Sequence, residues 1–125
     1  MGDVPHTSRR VEKPWGYELI WAHTDQYVGK VLVIETGRRL SLQRHEQKDE
    51  RILVQSGRLQ LELEDDAGVV QTLELGPGED RHVPTGRIHR YTALERCELI
   101  EVSTPELDDV VRLEDDFGRE GTSAP

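Results

Sequence analysis

Gly37-Arg38-Arg39-Leu40-Ser41-Leu42-Gln43-Arg44-His45-Glu46-Gln47-Lys48-Asp49-Glu50, running on to Gly57, decides how this chain is read, together with Gly78-Glu79-Asp80-Arg81-His82-Val83-Pro84-Thr85-Gly86-Arg87-Ile88-His89. Read as a strand, Leu40 to His45 turns Gln43 and His45 to one face and Leu40, Leu42 and Arg44 to the other, because side chains alternate along extended backbone. A carboxylate follows a short polar turn, at Glu50, and a further imidazole stands at His89. Two nitrogens and two oxygens can then converge on one cation, a donor set that suits zinc and other borderline divalent metals. The opposite face, Leu40 and Leu42, needs cover from another layer, either the N-terminal strand or a second subunit, so a homodimer is expected.

Outward from these stretches the chain reads as short strands and turns. In Val11-Glu12-Lys13-Pro14-Trp15-Gly16-Tyr17-Glu18-Leu19-Ile20-Trp21, Pro14 and Gly16 enforce a turn before a strand rich in aromatic and β-branched residues, with Trp15 and Trp21 expected in the core. Tyr27 to Glu35 predicts a second strand and Arg51 to Gln55 a short one, turned by Ser56-Gly57. Leu59, Leu61 and Leu63 alternate with Gln60, Glu62 and Glu64, the clearest period of two in the chain. Asp65 to Gly68 predicts a hairpin loop, Val69 to Leu75 the return strand, and Gly76-Pro77-Gly78 another turn. Ile88 to Ala93 and Glu98 to Val102 predict two further strands. Turn signals at this spacing, without an amphipathic helix, mean an all-β sandwich or barrel. The acidic C-terminal extension, Thr104 to Arg119, is expected to dock on the barrel through Val110, Val111, Leu113 and Phe117. Residues 1–10 read as a mobile N-terminal tail, 11–119 as a single domain and 120–125 as a disordered tail.

Composition narrows the function. With 25 acidic against 16 basic side chains and a net charge of -9, the chain is a poor partner for nucleic acid. It has no apolar run suited to a membrane or a signal peptide, and its lone Cys97 cannot form an internal disulfide, so a cytoplasmic protein is expected. Cys97 reads as a small core residue, His82 as structural, and His6 and His23 as solvent-facing.

The two opening stretches resemble the cupin pattern. Gly37, the ligand pair Gln43 and His45, Glu50 and Gly57 meet its first motif, and Gly78, Pro84, Gly86 and His89 its second. Gln43 stands where His is usual, and Ala93 where Asn often closes the second motif. The chain more narrowly resembles the C-terminal cupin domain of type II mannose-6-phosphate isomerases. Lys13-Pro14-Trp15-Gly16, Leu40-Ser41-Leu42-Gln43-Arg44-His45, Asp108-Asp109-Val110-Val111-Arg112 and Asp116-Phe117-Gly118-Arg119 carry that likeness over roughly Val11 to Arg119. These residues hold no portion like the guanylyltransferase domain of the bifunctional enzymes, so nucleotide-sugar synthesis is not expected of them. Glu46, Gln47, Lys48, Asp49, Arg51 and Ile52 replace a His- and Arg-rich stretch with an aromatic after the Glu, which predicts a rewritten substrate-facing loop.

The resemblance implies a double-stranded β-helix, or jelly-roll barrel, holding one divalent metal per chain through Gln43, His45, Glu50 and His89. Zinc is the first expectation, with manganese, nickel, cobalt and iron as other occupants. It implies aldose–ketose isomerisation of a sugar phosphate through an enediol, as with mannose 6-phosphate. Arg119 and Lys48 are the candidate catalytic residues, with Lys48 or Glu101 as the base, and Arg112 and Arg87 the candidate substrate-binding cations. The alternatives are a metal-dependent oxygenase or lyase of the same superfamily and a non-catalytic carbohydrate- or small-molecule-binding cupin.

Overall fold

A computed structural model describes residues 8–121 of the chain. Residues 1–7 and 122–125, read above as parts of the two tails and including His6, lie outside the described residues. In chain order the strands are β1 (Arg9–Lys13), β2 (Gly16–His23), β3 (Val28–Ile34), β4 (Leu42–Arg44), β5 (Glu50–Glu64), β6 (Val70–Leu75), β7 (Asp80–Val83), β8 (His89–Ser103) and β9 (Val111–Glu114). Among the described residues no helix is long and apolar enough to cross a membrane.

The two 15-residue strands β5 and β8 run antiparallel and are the spine of the molecule. Each bends at its middle and so belongs to two sheets. The first half of β5 pairs with β7 and with the second half of β8, which continues through β3 and β2 to β1. The second half of β5 pairs with β6 and with the first half of β8, which continues to β4 and β9. Two curled antiparallel sheets facing one core are the jelly roll expected from the turn spacing.

The bends explain why four strands were predicted where two exist. Glu50, Ile52 and Val54 face inward in the first half of β5, whereas Leu59 and Leu61 do so in the second. Register shifts between Val54 and Leu59 absorb the change of phase, so Ser56-Gly57 is a bend inside a strand and not a turn between two. Gly57 has φ +88, and a Cβ on it would lie 2.0 Å from the Arg96 carbonyl oxygen of the neighbouring strand. Only glycine fits there.

The core joins Trp15, Leu32, Ile34, Leu40, Ile52, Val54, Leu59, Leu61, Leu75, Val83, Tyr91, Ala93, Cys97 and Leu99. Each fully buried Leu or Ile removes enough apolar surface to contribute roughly 1.5–3 kcal/mol. Burial pushes the Cys97 thiol up to about 11, as befits an inert core residue.

Four sequence expectations change. Leu40 lies in the core instead of on an outer face: the backbone is irregular between Arg39 and Leu42, so Leu40 and Ser41 are both buried and the strict alternation begins only at β4. That removes the reason given for a second subunit. Trp21 is 41% exposed, with its ring against the bare backbone of Gly29 on the outer side of the barrel. Arg9 and Arg10, expected in the tail, pair with Ile20 and Leu19 in β1, where the Arg10 guanidinium stacks 3.7 Å from the Tyr17 ring centroid. Finally, Asp80 to Val83 forms β7, which the charged composition had hidden.

Candidate metal centre

The end of the barrel where β5 and β8 begin carries the chemistry. Glu50 opens β5 and pairs with Ser103 and Val83 in one sheet; His89 opens β8 opposite Leu63 and Gln43 in the other. His45 follows β4 directly. The two sheets therefore deliver these side chains to one interior point from opposite walls. His45, Glu50 and His89 are 5%, 2% and 1% exposed.

Their potential ligand atoms all lie within 4.8 Å of one another. His45 Nε2 is 2.8 Å and His89 Nε2 3.4 Å from Glu50 Oε1. Each ring is fixed by its other nitrogen: His45 Nδ1 donates to the Asp109 carbonyl oxygen at 2.5 Å and His89 Nδ1 to that of Arg87 at 2.9 Å. A carbonyl only accepts, so in a neutral ring the proton sits on Nδ1 and Nε2 turns a lone pair into the site. His45 Nε2 and Glu50 Oε1 are buried and have no hydrogen-bond partner. Two such acceptors at 2.8 Å repel unless a proton or a cation lies between them, and the arrangement fits a divalent ion.

Gln43 is in place but turned the other way. Its Oε1 accepts from Ser41 Oγ at 2.6 Å, and its Nε2 faces His89 Nε2 at 3.5 Å. An amide ligates through oxygen, so a ligating Gln43 needs its amide rotated end for end, with Ser41 Oγ then accepting from the amide nitrogen. The second Glu50 oxygen accepts from Tyr91 Oη at 3.2 Å.

A buried ion pair adjoins this cluster. Lys48 Nζ lies 3.2 Å from Glu101 Oε2, both side chains almost wholly enclosed. Burial alone lowers the Lys48 pKa, but the Glu101 and Glu50 charges outweigh it and hold the ammonium above its ordinary range. Burial and then the Glu50 charge push Glu101 up to about 7. Glu50 itself is held well below the carboxylate range: burial opposes this, and the Lys48 charge with the neighbouring hydrogen-bonding groups prevails.

The C-terminal extension completes the site. Asp109 accepts through its carboxylate from the backbone N–H groups of Glu46, Gln47 and Lys48 at 3.1, 2.7 and 2.8 Å, while its carbonyl fixes His45. One residue thus clamps the whole turn between His45 and Glu50. A cavity of about 60 Å³ opens beside the cluster, lined among others by Lys13, Glu18, Lys30, Lys48, Arg112 and Arg119. Lys48, Arg112 and Arg119 are the sequence-derived cations that the fold brings there. Arg87 is not among them: its guanidinium pairs with Asp66 and donates to the Glu64 carbonyl at 3.1 Å on the outside, and only its own carbonyl serves the site. Of the rewritten loop, Lys48 alone lines the cavity; Glu46, Gln47 and Arg51 are exposed and Ile52 is core. His82 pairs with Asp49 at 2.7 Å on the surface. Lys13, Glu18 and Lys30 were not singled out in the sequence. Of the three, only Lys13 had a signal, as the first residue of the Lys13-Pro14-Trp15-Gly16 stretch that carries the family likeness.

Residues 3–115 match the family described as mannose-6-phosphate isomerase C-terminal. The mannose-1-phosphate guanylyltransferase ManC of Salmonella typhimurium is 34% identical over 123 residues, which cover 91% of this chain and 24% of that protein. The alginate biosynthesis protein AlgA of Pseudomonas aeruginosa is 31% identical over 114 residues, covering 87% of this chain and 23% of the relative. The chain therefore spans about a quarter of the length of these curated relatives. Among solved structures, KdgF from Halomonas sp. is similar with TM-score 0.67 and 25% identity over 81% of this chain and 89% of that one. Oxalate decarboxylase from Bacillus subtilis, with TM-score 0.73 and 19% identity over 86% of this chain and 30% of that one, shares the fold.

Proposed function

The chain belongs to the mannose-6-phosphate isomerase C-terminal family, and from that membership we propose that it is a metal-dependent sugar-phosphate isomerase of the mannose-6-phosphate isomerase kind. The observation that carries this reading is the pair of bare, buried acceptors, His45 Nε2 and Glu50 Oε1, 2.8 Å apart beside His89. His45, Glu50, His89 and a rotated Gln43 would hold one divalent ion per chain, zinc first. A bound ion there would polarise a substrate carbonyl and stabilise the oxyanion of an enediol.

The chain's own groups supply the rest. Lys48 and Glu101 are the titratable pair nearest the cluster, and a proton can pass through them between adjacent carbons of a bound sugar. Arg112 and Arg119 bring positive charge to the cavity for the phosphate. Tyr91 fixes the Glu50 carboxylate from behind, its hydroxyl kept protonated by burial and by the Glu50 charge. The acidic chain without a disulfide supports a cytoplasmic setting. A homodimer belongs to the same reading, with exposed Trp21, Leu53 and Val102 as the apolar surface open to a second copy.

A coupled assay over a panel of aldose and ketose phosphates, on metal-free protein reloaded with zinc, manganese or iron, tests the proposal. Metal-dependent interconversion of an aldose and a ketose phosphate supports it. Binding of a sugar without turnover under every metal would replace it with a binding module.

A further inference from the structure

The two oxygens of Glu50 have different neighbours. Oε1 turns to the ligand cluster, 2.8 Å from His45 Nε2 and 3.4 Å from His89 Nε2, and has no hydrogen-bond partner among the described residues. Oε2 accepts from Tyr91 Oη at 3.2 Å. A carboxylate only accepts, and the Tyr91 hydroxyl keeps its proton, so the direction of this hydrogen bond is fixed.

Tyr91 is built into the wall of the site. It follows His89 by two residues on β8, so strand alternation turns both side chains inward, and Leu61 opposite it on β5 is equally buried. Its ring lies 5.6 Å from that of His89, centroid to centroid, tilted by 47°. One side chain, 1% exposed, therefore packs against one candidate ligand and hydrogen-bonds another. Packing alone needs only the ring of a Phe; a hydroxyl at this depth is costly unless it has a partner, and the partner it has is Glu50 Oε2.

How many oxygens a carboxylate offers bears on which ion fits. Zinc is satisfied by four donors and accepts nitrogen readily, whereas manganese suits six donors that are mostly oxygen. His45, His89, a rotated Gln43 and one oxygen of Glu50 make four. A second oxygen from Glu50 would move the set toward manganese, and that is the oxygen Tyr91 holds.

We propose that Tyr91 is a positioning residue that sets the choice of metal: its hydroxyl keeps Glu50 Oε2 engaged, so that Glu50 offers a cation Oε1 alone and the site favours zinc over manganese. This rests on the metal-dependent reading above and adds to it a residue that selects the ion without ligating it.

Tyr91→Phe in the full chain removes the hydroxyl and keeps the ring. Parent and variant, both stripped of metal, are titrated with zinc and with manganese against a chromophoric chelator. Zinc binds more tightly than manganese at any nitrogen–oxygen site, so the ratio of the two affinities is the quantity compared. That ratio is expected to fall about tenfold or more in the variant, the size of effect that groups behind a ligand have on metal binding. An unchanged ratio, including equal losses for both ions, overturns the proposal, because mere support of the barrel does not distinguish one ion from the other. The parent supplies a second measurement that does not depend on the variant folding. Infrared difference spectra between zinc-loaded and metal-free parent are expected to show the wide separation of carboxylate stretches that marks ligation through one oxygen; the narrow separation that marks two overturns the proposal. Failure of the isomerase reading is distinguishable: a zinc-loaded parent with this spectrum and this ratio, yet no turnover in the panel assay, supports the role of Tyr91 and removes only the isomerase.

Discussion

Asp109→Ala should damage stability and metal binding together, although Asp109 is not a ligand. The substitution removes the acceptor for three backbone N–H groups at once. A hydrogen bond to a charged group contributes about 1.5–3 kcal/mol where water is excluded. Glu46 and Gln47 are exposed, so water can replace the carboxylate at two of the three, and the sum comes down to about 3 kcal/mol. For a chain of this size that lowers Tm by about 10 °C. The turn from Glu46 to Lys48 then loses its anchor, and His45 loses the fixed carbonyl that holds its ring. Metal affinity should fall about 10- to 100-fold, the usual effect of removing a group that orients a ligand. Asp109→Asn keeps one acceptor and should lie between the two. Differential scanning calorimetry of the metal-free protein and competition for zinc with a chromophoric chelator give the two quantities separately. If Asp109→Ala melts within about 2 °C of the parent and holds zinc equally well, the clamp is incidental and this reasoning fails.

Gly57→Ala should cost at least about 3 kcal/mol or prevent folding, since the added Cβ meets the Arg96 carbonyl at 2.0 Å and the backbone is left-handed there; urea unfolding measures it. His89→Ala should lower zinc affinity by more than about 100-fold and Gln43→Ala by about tenfold, the Gln contributing only after its amide rotates; equal effects, or none, on metal content by mass spectrometry would argue against this ligand set. Asp115 is held below the ordinary carboxylate range, first by its hydrogen bond from Arg119 and also by the Arg119 charge, so its pKa is lower in the folded state than in the unfolded. The stabilisation is therefore full above the unfolded value near about 3.9 and is lost as the pH falls through the folded one. Asp115→Asn should flatten the acid limb of the stability curve below about pH 4, read by thermal melts at stepped pH, while an unchanged acid limb would contradict the assignment.

The arrangement of His45, Glu50 and His89 was legible because each sits at or beside one end of a strand, where motif spacing translates directly into position. The same logic failed one turn earlier, at Leu40, because an irregular backbone before β4 shifts the phase of alternation and no local residue type announces it. It failed again at Ser56-Gly57, where a glycine that reads as a turn allows two strands to cross closely inside one continuous bend. Arg87 stood two residues from His89 in a motif and looked like a site cation by strand alternation, yet it lies in the turn before β8, where alternation does not hold, and its guanidinium pairs with Asp66. The far wall of the cavity was the least legible part. Lys13, Glu18 and Lys30 reach it from β1, β2 and β3, and only the successive pairing of β1 with β2, β2 with β3 and β3 with β8 brings them to the cavity that Arg112 also lines.

The central claim is that two imidazoles, already oriented by carbonyls on Nδ1, present Nε2 to a divalent ion beside Glu50. Long-range ¹H–¹⁵N spectra of the histidine rings during a zinc titration of the metal-free protein test it most directly. His45 and His89 should begin with the proton on Nδ1, and their Nε2 signals should move to metal-bound values together, complete at one zinc per chain, while His23 and His82 stay still. Rings that begin with the proton on Nε2, or that ignore zinc, would contradict it.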